Sequence, residues 1–220
     1  MSWLRLRRWL RRRQCHHPLM QRYLATALPS PRVEFCAASF LVVDLETTAL
    51  KPDEGEIASI AWVPIERGVI ALAGAEHRLV KVEKGVGQSA IYHQLLDDQL
   101  SGAATLREAM DAFLAAASGR TLVFHHAGLD LAFLNQACQA IYGAPPLAYI
   151  VDTLQLERNK LMATVGHIES GALRLHACRR RYGLPEYAAH DALVDALATA
   201  ELLLAQVSHR GKGVRLTDLL

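Results

Sequence analysis

Three stretches of this chain set acids and histidines at spacings that could hold a metal ion or move a proton. The first is Val43-Asp44-Leu45-Glu46-Thr47-Thr48, where an apolar run ends in two acids two residues apart. In an extended strand, residues i and i+2 share a face, so Asp44 and Glu46 project together while Leu45 points the other way. Two carboxylates side by side near a core repel each other and lose solvation. A divalent cation removes that cost, since hard cations prefer oxygen ligands. Taken alone, however, the pair is better explained as a strand end reaching solvent.

The second stretch is His125-His126-Ala127-Gly128-Leu129-Asp130, running from a strand end into a helix. An acid near a helix N-terminus is favoured by the helix dipole. An acidic cap for the helix carrying Phe133 and Leu134 therefore explains Asp130 at least as well as metal binding does. The third stretch is His190-Asp191-Ala192-Leu193-Val194-Asp195. Five residues do not bring two side chains onto one helical face, but a histidine in the preceding turn can swing its ring over the site that Asp195 faces. Asp191 and Asp195, at i and i+4, would share a face, so spacing alone does not pair His190 with Asp195. Each stretch is weak by itself; their joint occurrence in this order is not.

The elements that must position these residues follow from the pattern of apolar and turn residues. Ser39–Asp44 reads as a buried strand. Glu56–Glu66 and Val69–Val82 read as strands joined by a hairpin turn at Arg67-Gly68. Helical spacing covers Thr105–Ala117, Asp130–Tyr142, Leu173–Tyr182 (stopped by Gly183 and Pro185) and Ala189–Gln206, with short strands at Arg120–Phe124 and Tyr149–Thr153. The expected fold is α/β: a mixed five-stranded sheet, three strands antiparallel and two parallel, flanked by helices. Pro29 and Pro31 mark a boundary. The expected organisation is a basic, helical arm over residues 1–35, one domain over 36–208 and a short tail over 209–220.

With 220 residues, 51% of them hydrophobic, the chain can bury one substantial core. Its net charge of +2 hides a strong asymmetry. Residues 1–33 carry eight arginines and no acid, leaving 16 basic against 22 acidic residues, a net −6, for the remainder. An acidic body is an odd surface for a polyanion unless some of its carboxylates hold cations. Cys15, Cys36, Cys138 and Cys178 are widely spaced and read as reduced thiols. With no long apolar block, the expectation is a soluble cytoplasmic protein. The arm has four readings: contact with nucleic-acid phosphates, contact with an anionic membrane surface, organelle import in a eukaryote, or packing on the domain through Trp3, Trp9 and Tyr23. Packing and nucleic-acid contact rank ahead of the membrane.

Taken together, V-D-x-E-T-T at 43–48, H-x-A-x-x-D at 125–130 and H-x-x-x-x-D at 190–195 resemble the three motifs of the DEDDh branch of the DnaQ-like 3′→5′ exonucleases. That family includes the proofreading epsilon subunit of bacterial DNA polymerase III, and the resemblance covers roughly residues 38–206. It implies an RNase H-like fold and two divalent cations, Mg²⁺ with Mn²⁺ able to substitute. Asp44, Glu46, Asp130 and Asp195 would be the metal ligands and His190 the general base. It also implies contacts with a single-stranded 3′ end from Thr47, Thr48, Leu50, His93 and His125, and release of nucleoside 5′-monophosphates. Asp152, in Val151-Asp152-Thr153-Leu154, reads as structural. Three positions depart from the family pattern: Ala49 stands for a usual glycine, His126 for a common asparagine and Leu129 for a typical phenylalanine. They touch pocket shape and remove no ligand.

DNA is the favoured substrate. An exoribonuclease acting on short RNA or RNA ends is the alternative, and a non-catalytic nucleic-acid-binding scaffold the rival from another class. A DNA polymerase or repair protein is the partner class the resemblance suggests. The 25 residues after Asp195 leave little room for an extended polymerase-binding tail, which favours a stand-alone or differently partnered enzyme.

Overall fold

The structure is a computed structural model that describes residues 3–82, 102–188 and 190–220. Its strands are β1 (Ser39–Thr47), β2 (Ile57–Glu66), β3 (Val69–Ile70), β4 (Glu76–Leu79), β5 (Thr121–Phe124) and β6 (Ile150–Asp152). They form one mixed sheet ordered β3-β2-β1-β5-β6, with β4 also paired to β2. β1 runs antiparallel to β2 and parallel to β5, and β5 runs parallel to β6.

The sheet has six strands among the described residues where five were expected, because Val69–Val82 does not form one strand. Pro64 of β2 turns its carbonyl toward this neighbour, accepting from the Ala71 N–H at 2.9 Å. It has no N–H to offer beside it. The chain leaves the ladder there in a short turn at Leu72–Gly74 and returns as β4.

The helices are α1 (Trp3–Gln14), α2 (Pro18–Ala25), α3 (Leu106–Ala117), α4 (Ala127–Tyr142), α5 (Thr153–Thr164), α6 (Leu175–Arg181) and α7 (Ala192–Arg210). The sequence pattern did not announce α5. Alternation along β1 divides the core in two. Leu41, Val43 and Leu45 face a cluster containing Met20, Tyr23, Met110, Phe113 and Leu134, from α2, α3 and α4. Phe40 and Val42 face the other cluster, with Ala196, Ala200 and Leu203 of α7. Ala192, Ala196 and Ala200 are fully buried, and their small side chains let the α7 backbone lie close against the sheet.

The two ends of the chain contribute to these same cores. Cys15, Met20, Tyr23 and Leu24 pack in the first cluster; Val214, Leu216 and Leu219 pack with Leu28 and Phe35 in the second. Of the three aromatics named in the packing reading of the arm, Tyr23 is buried, whereas Trp3 and Trp9 are exposed. Among the described residues no helix is long and apolar enough to cross a membrane.

Candidate active site

The even positions of β1 that carry Phe40 and Val42 against α7 continue, two residues at a time, to Asp44 and Glu46. The strand pairs through Glu46, opposite Ser59, and slips register before Thr47. Both carboxylates thus emerge on the α7 face at the C-terminal end of the central strand, where α7 begins. Asp195, in the first turn of α7, meets them there. Oxygens of Asp44, Glu46 and Asp195 all lie within 4.8 Å of one another.

Asp130 approaches from the opposite layer. It is buried in the first turn of α4, and its Oδ1 accepts the Leu45 N–H at 3.2 Å. It stands beside the trio closely enough that its charge acts on Asp44.

The electrostatics are those of crowded, half-dry acids. Burial, reinforced by Asp130, Asp195 and Glu46, holds the Asp44 carboxyl well above the usual carboxylate range. Glu46 is pushed up to about 7 by burial and by Asp195, Asp191 and Asp130. Asp130 also rises to about 7, burial outweighing the backbone N–H bonds that favour its charged form. Asp195 is raised by burial, against the N–H bond from His190. Arg179 offsets part of the rise at Asp195. Oxygen-only donors under such mutual repulsion suit a hard divalent cation.

His190 lies immediately before Asp191, the N-cap of α7, with a positive φ of 71°, a strained conformation for a non-glycine residue. Its backbone N–H donates to Asp195 Oδ2 at 3.1 Å, which ties this turn to the acid. The structure also separates the two neighbouring acids. Asp191 is the N-cap of α7, with extended backbone, and its Oδ1 accepts the Leu193 and Val194 N–H groups at 2.9 and 3.1 Å.

The remaining expected residues fall as follows. Thr47 Oγ1 donates to the Ala49 carbonyl at 2.8 Å. Thr48 Oγ1 accepts the Glu56 N–H at 2.9 Å. Leu50 stands out beside them, 82% exposed. Gly55 explains how alanine fits at 49, since a Cβ on Gly55 would meet Ala49 Cβ at 2.6 Å. Both ring nitrogens of His125 are engaged, Nδ1 with Thr153 Oγ1 at 2.8 Å and Nε2 with the Leu173 carbonyl at 2.9 Å. His93 lies outside the described residues.

Four further residues that the sequence reading did not single out for this purpose hold the site. Asp152 accepts the His126 and Ala127 N–H groups at 2.9 and 3.0 Å, and that of Leu154 at 3.0 Å, so one carboxylate caps α5 and fixes the turn into α4. This turn holds His126 at φ 76°. Buried Arg179 pairs with Glu201 at 2.7 Å and donates to the Pro185 carbonyl at 2.8 Å. Tyr187, whose OH donates to Glu201 at 2.9 Å, lies under the Arg179 guanidinium. The segment leading to His190 is thereby tied to α6 and α7. A cavity of ≈ 830 Å³ opens alongside, bordered by His126, His176, His190 and Asp195.

A mixed RNase H-like sheet with an acidic cluster at the end of its central strand defines a nuclease frame. The chain belongs to the exonuclease family (RNase_T), which matches residues 41–203. Among curated relatives it is 29% identical over 168 residues to a PolC-type DNA polymerase III of Thermotoga petrophila, spanning 76% of this chain and 12% of that protein. It is 29% identical over 177 residues to the DNA polymerase III epsilon subunit of Treponema pallidum, spanning 79% of each.

Solved structures share the fold at low identity. The cell-death related nuclease 4 superposes with a TM-score of 0.68 at 16% identity, covering 80% of this chain and 66% of that one. The nuclease domain of 3′hExo, a DEDDh family member bound to rAMP, gives 0.66 at 16%, covering 83% and 98%. E. coli Exonuclease I in complex with a dT13 oligonucleotide gives 0.64 at 15%, covering 76% and 40%.

Proposed function

We propose that this chain is a cytoplasmic, divalent-cation-dependent 3′→5′ exonuclease that removes nucleoside 5′-monophosphates from a single-stranded end, DNA in preference to RNA. The observation that carries the reading is the oxygen trio of Asp44, Glu46 and Asp195 within 4.8 Å, with Asp130 alongside. These four acids would hold two divalent cations, Mg²⁺ with Mn²⁺ as a substitute. Bound there, the cations would supply charge neutralisation for the phosphodiester and make a water acidic enough to attack it.

The protein's own residues do the rest. Asp44 and Glu46 keep their relative geometry because both leave one face of a rigid central strand. Asp130 is aimed by its bond to Leu45 N–H. His190 takes the proton of the attacking water, the role for which imidazole is suited near neutral pH. Thr47, Thr48 and Leu50 meet the terminal nucleotide at the mouth of the β1–β2 turn, and we retain His93 and His125 as further contacts. The bias toward DNA, and a polymerase or repair assembly as partner, rest on the relatives' being DNA polymerase III proteins.

Digestion of 3′- and 5′-labelled single strands of DNA and RNA, with Mg²⁺, Mn²⁺ or EDTA, tests the reading. Mononucleotides should appear from the 3′ end, from DNA faster than RNA, and EDTA should stop them. Hydrolysis that persists in EDTA or in Asp44→Ala would overturn it, and binding without hydrolysis would mark a scaffold instead.

A further inference from the structure

The first helix carries a surface that the nuclease reaction does not use. α1 is fixed in rotation by Arg8, which is 4% exposed and donates to the carbonyls of Leu147, Tyr23 and Thr26, the last at 2.9 Å. Its guanidinium also lies 4.9 Å from the centre of the Tyr23 ring. Leu4, one turn earlier, packs against the same body. With that side committed, the opposite side is committed to solvent. Trp3, Leu6 and Leu10 follow the spacing of one helical face, with Trp9 at its edge, and they are 72%, 36%, 43% and 45% exposed respectively. Arg7, Arg11, Arg12 and Arg13 are exposed around this stripe, with Arg13 lying 4.3 Å over the Trp9 ring. No acid occurs before Glu34.

We propose that α1 is a peripheral membrane-binding element that docks the enzyme on anionic lipid. Charge complementarity identifies a polyanionic partner, and the apolar stripe identifies which one. Phosphate chains and stacked bases reward arginine and aromatic rings, but exposed Leu6 and Leu10 gain nothing from either. A lipid interface rewards all of them. The leucines enter the acyl boundary, the tryptophans sit at headgroup depth, and the arginines stay on the phosphates with their stems along the apolar face. A helix of 12 residues binds such a surface reversibly, without anchoring.

Flotation of the full chain with vesicles tests the inference. The protein should float with phosphatidylcholine vesicles containing phosphatidylglycerol, should stay behind with pure phosphatidylcholine, and should release as salt is raised. Leu6→Glu/Leu10→Glu should weaken flotation by at least about tenfold, the loss of buried leucine surface. Its thermal midpoint and oligonucleotide hydrolysis should be unchanged, since both side chains lie outside the core. Should that variant misfold, Arg11→Gln/Arg12→Gln/Arg13→Gln offers a second route and should lose the salt-sensitive part of binding.

The proposal is overturned if anionic vesicles do not carry the protein, or if the leucine variant floats as well as the parent. It is equally overturned if the leucine variant instead loses oligonucleotide affinity, which would make α1 a nucleic-acid contact. A concentration-dependent self-association that the variant abolishes, without vesicle binding, would point to a second copy of the chain.

Discussion

Asp191 and Asp195 are two acids one turn apart whose jobs the structure separates. Asp191 gives its carboxylate to the helix backbone, whereas Asp195 gives its own to the acidic cluster. Asp191→Ala should therefore cost about 1 kcal/mol, the loss of a cap, and leave Mg²⁺-dependent hydrolysis measurable. Asp195→Ala should abolish hydrolysis and metal affinity together; urea denaturation and calorimetric Mg²⁺ titration read the two effects separately. His190→Ala keeps the backbone N–H that holds Asp195, so metal affinity should persist while kcat falls by roughly 10²–10⁴. The pairing of Asp44 with Glu46 was legible because period two holds to the end of β1. The choice between Asp191 and Asp195 was not, because Asp191 has an extended backbone (φ −128°, ψ 118°) and helical spacing starts only after it.

The elements that aim these side chains depend on bonds with no sequence period. Arg179 and Glu201 lie 22 residues apart, and Arg179 reaches a carbonyl in the segment between them. Arg179→Met would leave Glu201 partly buried with only the Tyr187 hydroxyl and no cationic partner, and would free the Pro185 carbonyl. It should destabilise the protein by about 3 kcal/mol and loosen the approach to His190. Adding Glu201→Gln should recover part of that loss, since it removes the unpaired charge; a urea denaturation cycle over the two single variants and the double gives the coupling, and simple additivity would refute the pairing.

The same reasoning explains what the pattern hid at this scale. α5 has buried Leu156 beside buried Glu157, whose carboxylate is satisfied by Arg181 at 2.8 Å, Tyr182 at 2.7 Å and Gln206 at 3.2 Å. A buried acid within a helix erases the apolar stripe by which helices are found. The central strand, α3, α4 and α7 were legible because their buried faces are apolar.

Across the whole molecule, the fold holds its acids against their own repulsion, and this links metal, pH and stability. Glu46 and Asp130 are raised to about 7, above the ~4 of an unfolded chain. Between those values the folded state binds more protons than the unfolded state. Stability from these groups is therefore fully present below about pH 4 and is lost as pH rises through about 7. A divalent cation binds the ionised set and so competes with those protons. Its stabilisation should be small at about pH 5 and should grow as pH rises through about 7.

Thermal unfolding in matched buffers with Mg²⁺ or EDTA reads this directly. The difference between the two midpoints at each pH cancels contributions common to both, including that of His125, whose pKa burial lowers. Asp195→Ala should flatten the difference at every pH. A Mg²⁺ shift of equal size at about pH 5 and pH 8, or one that survives in Asp195→Ala, would mean that the cation binds elsewhere and that the four acids are not its site.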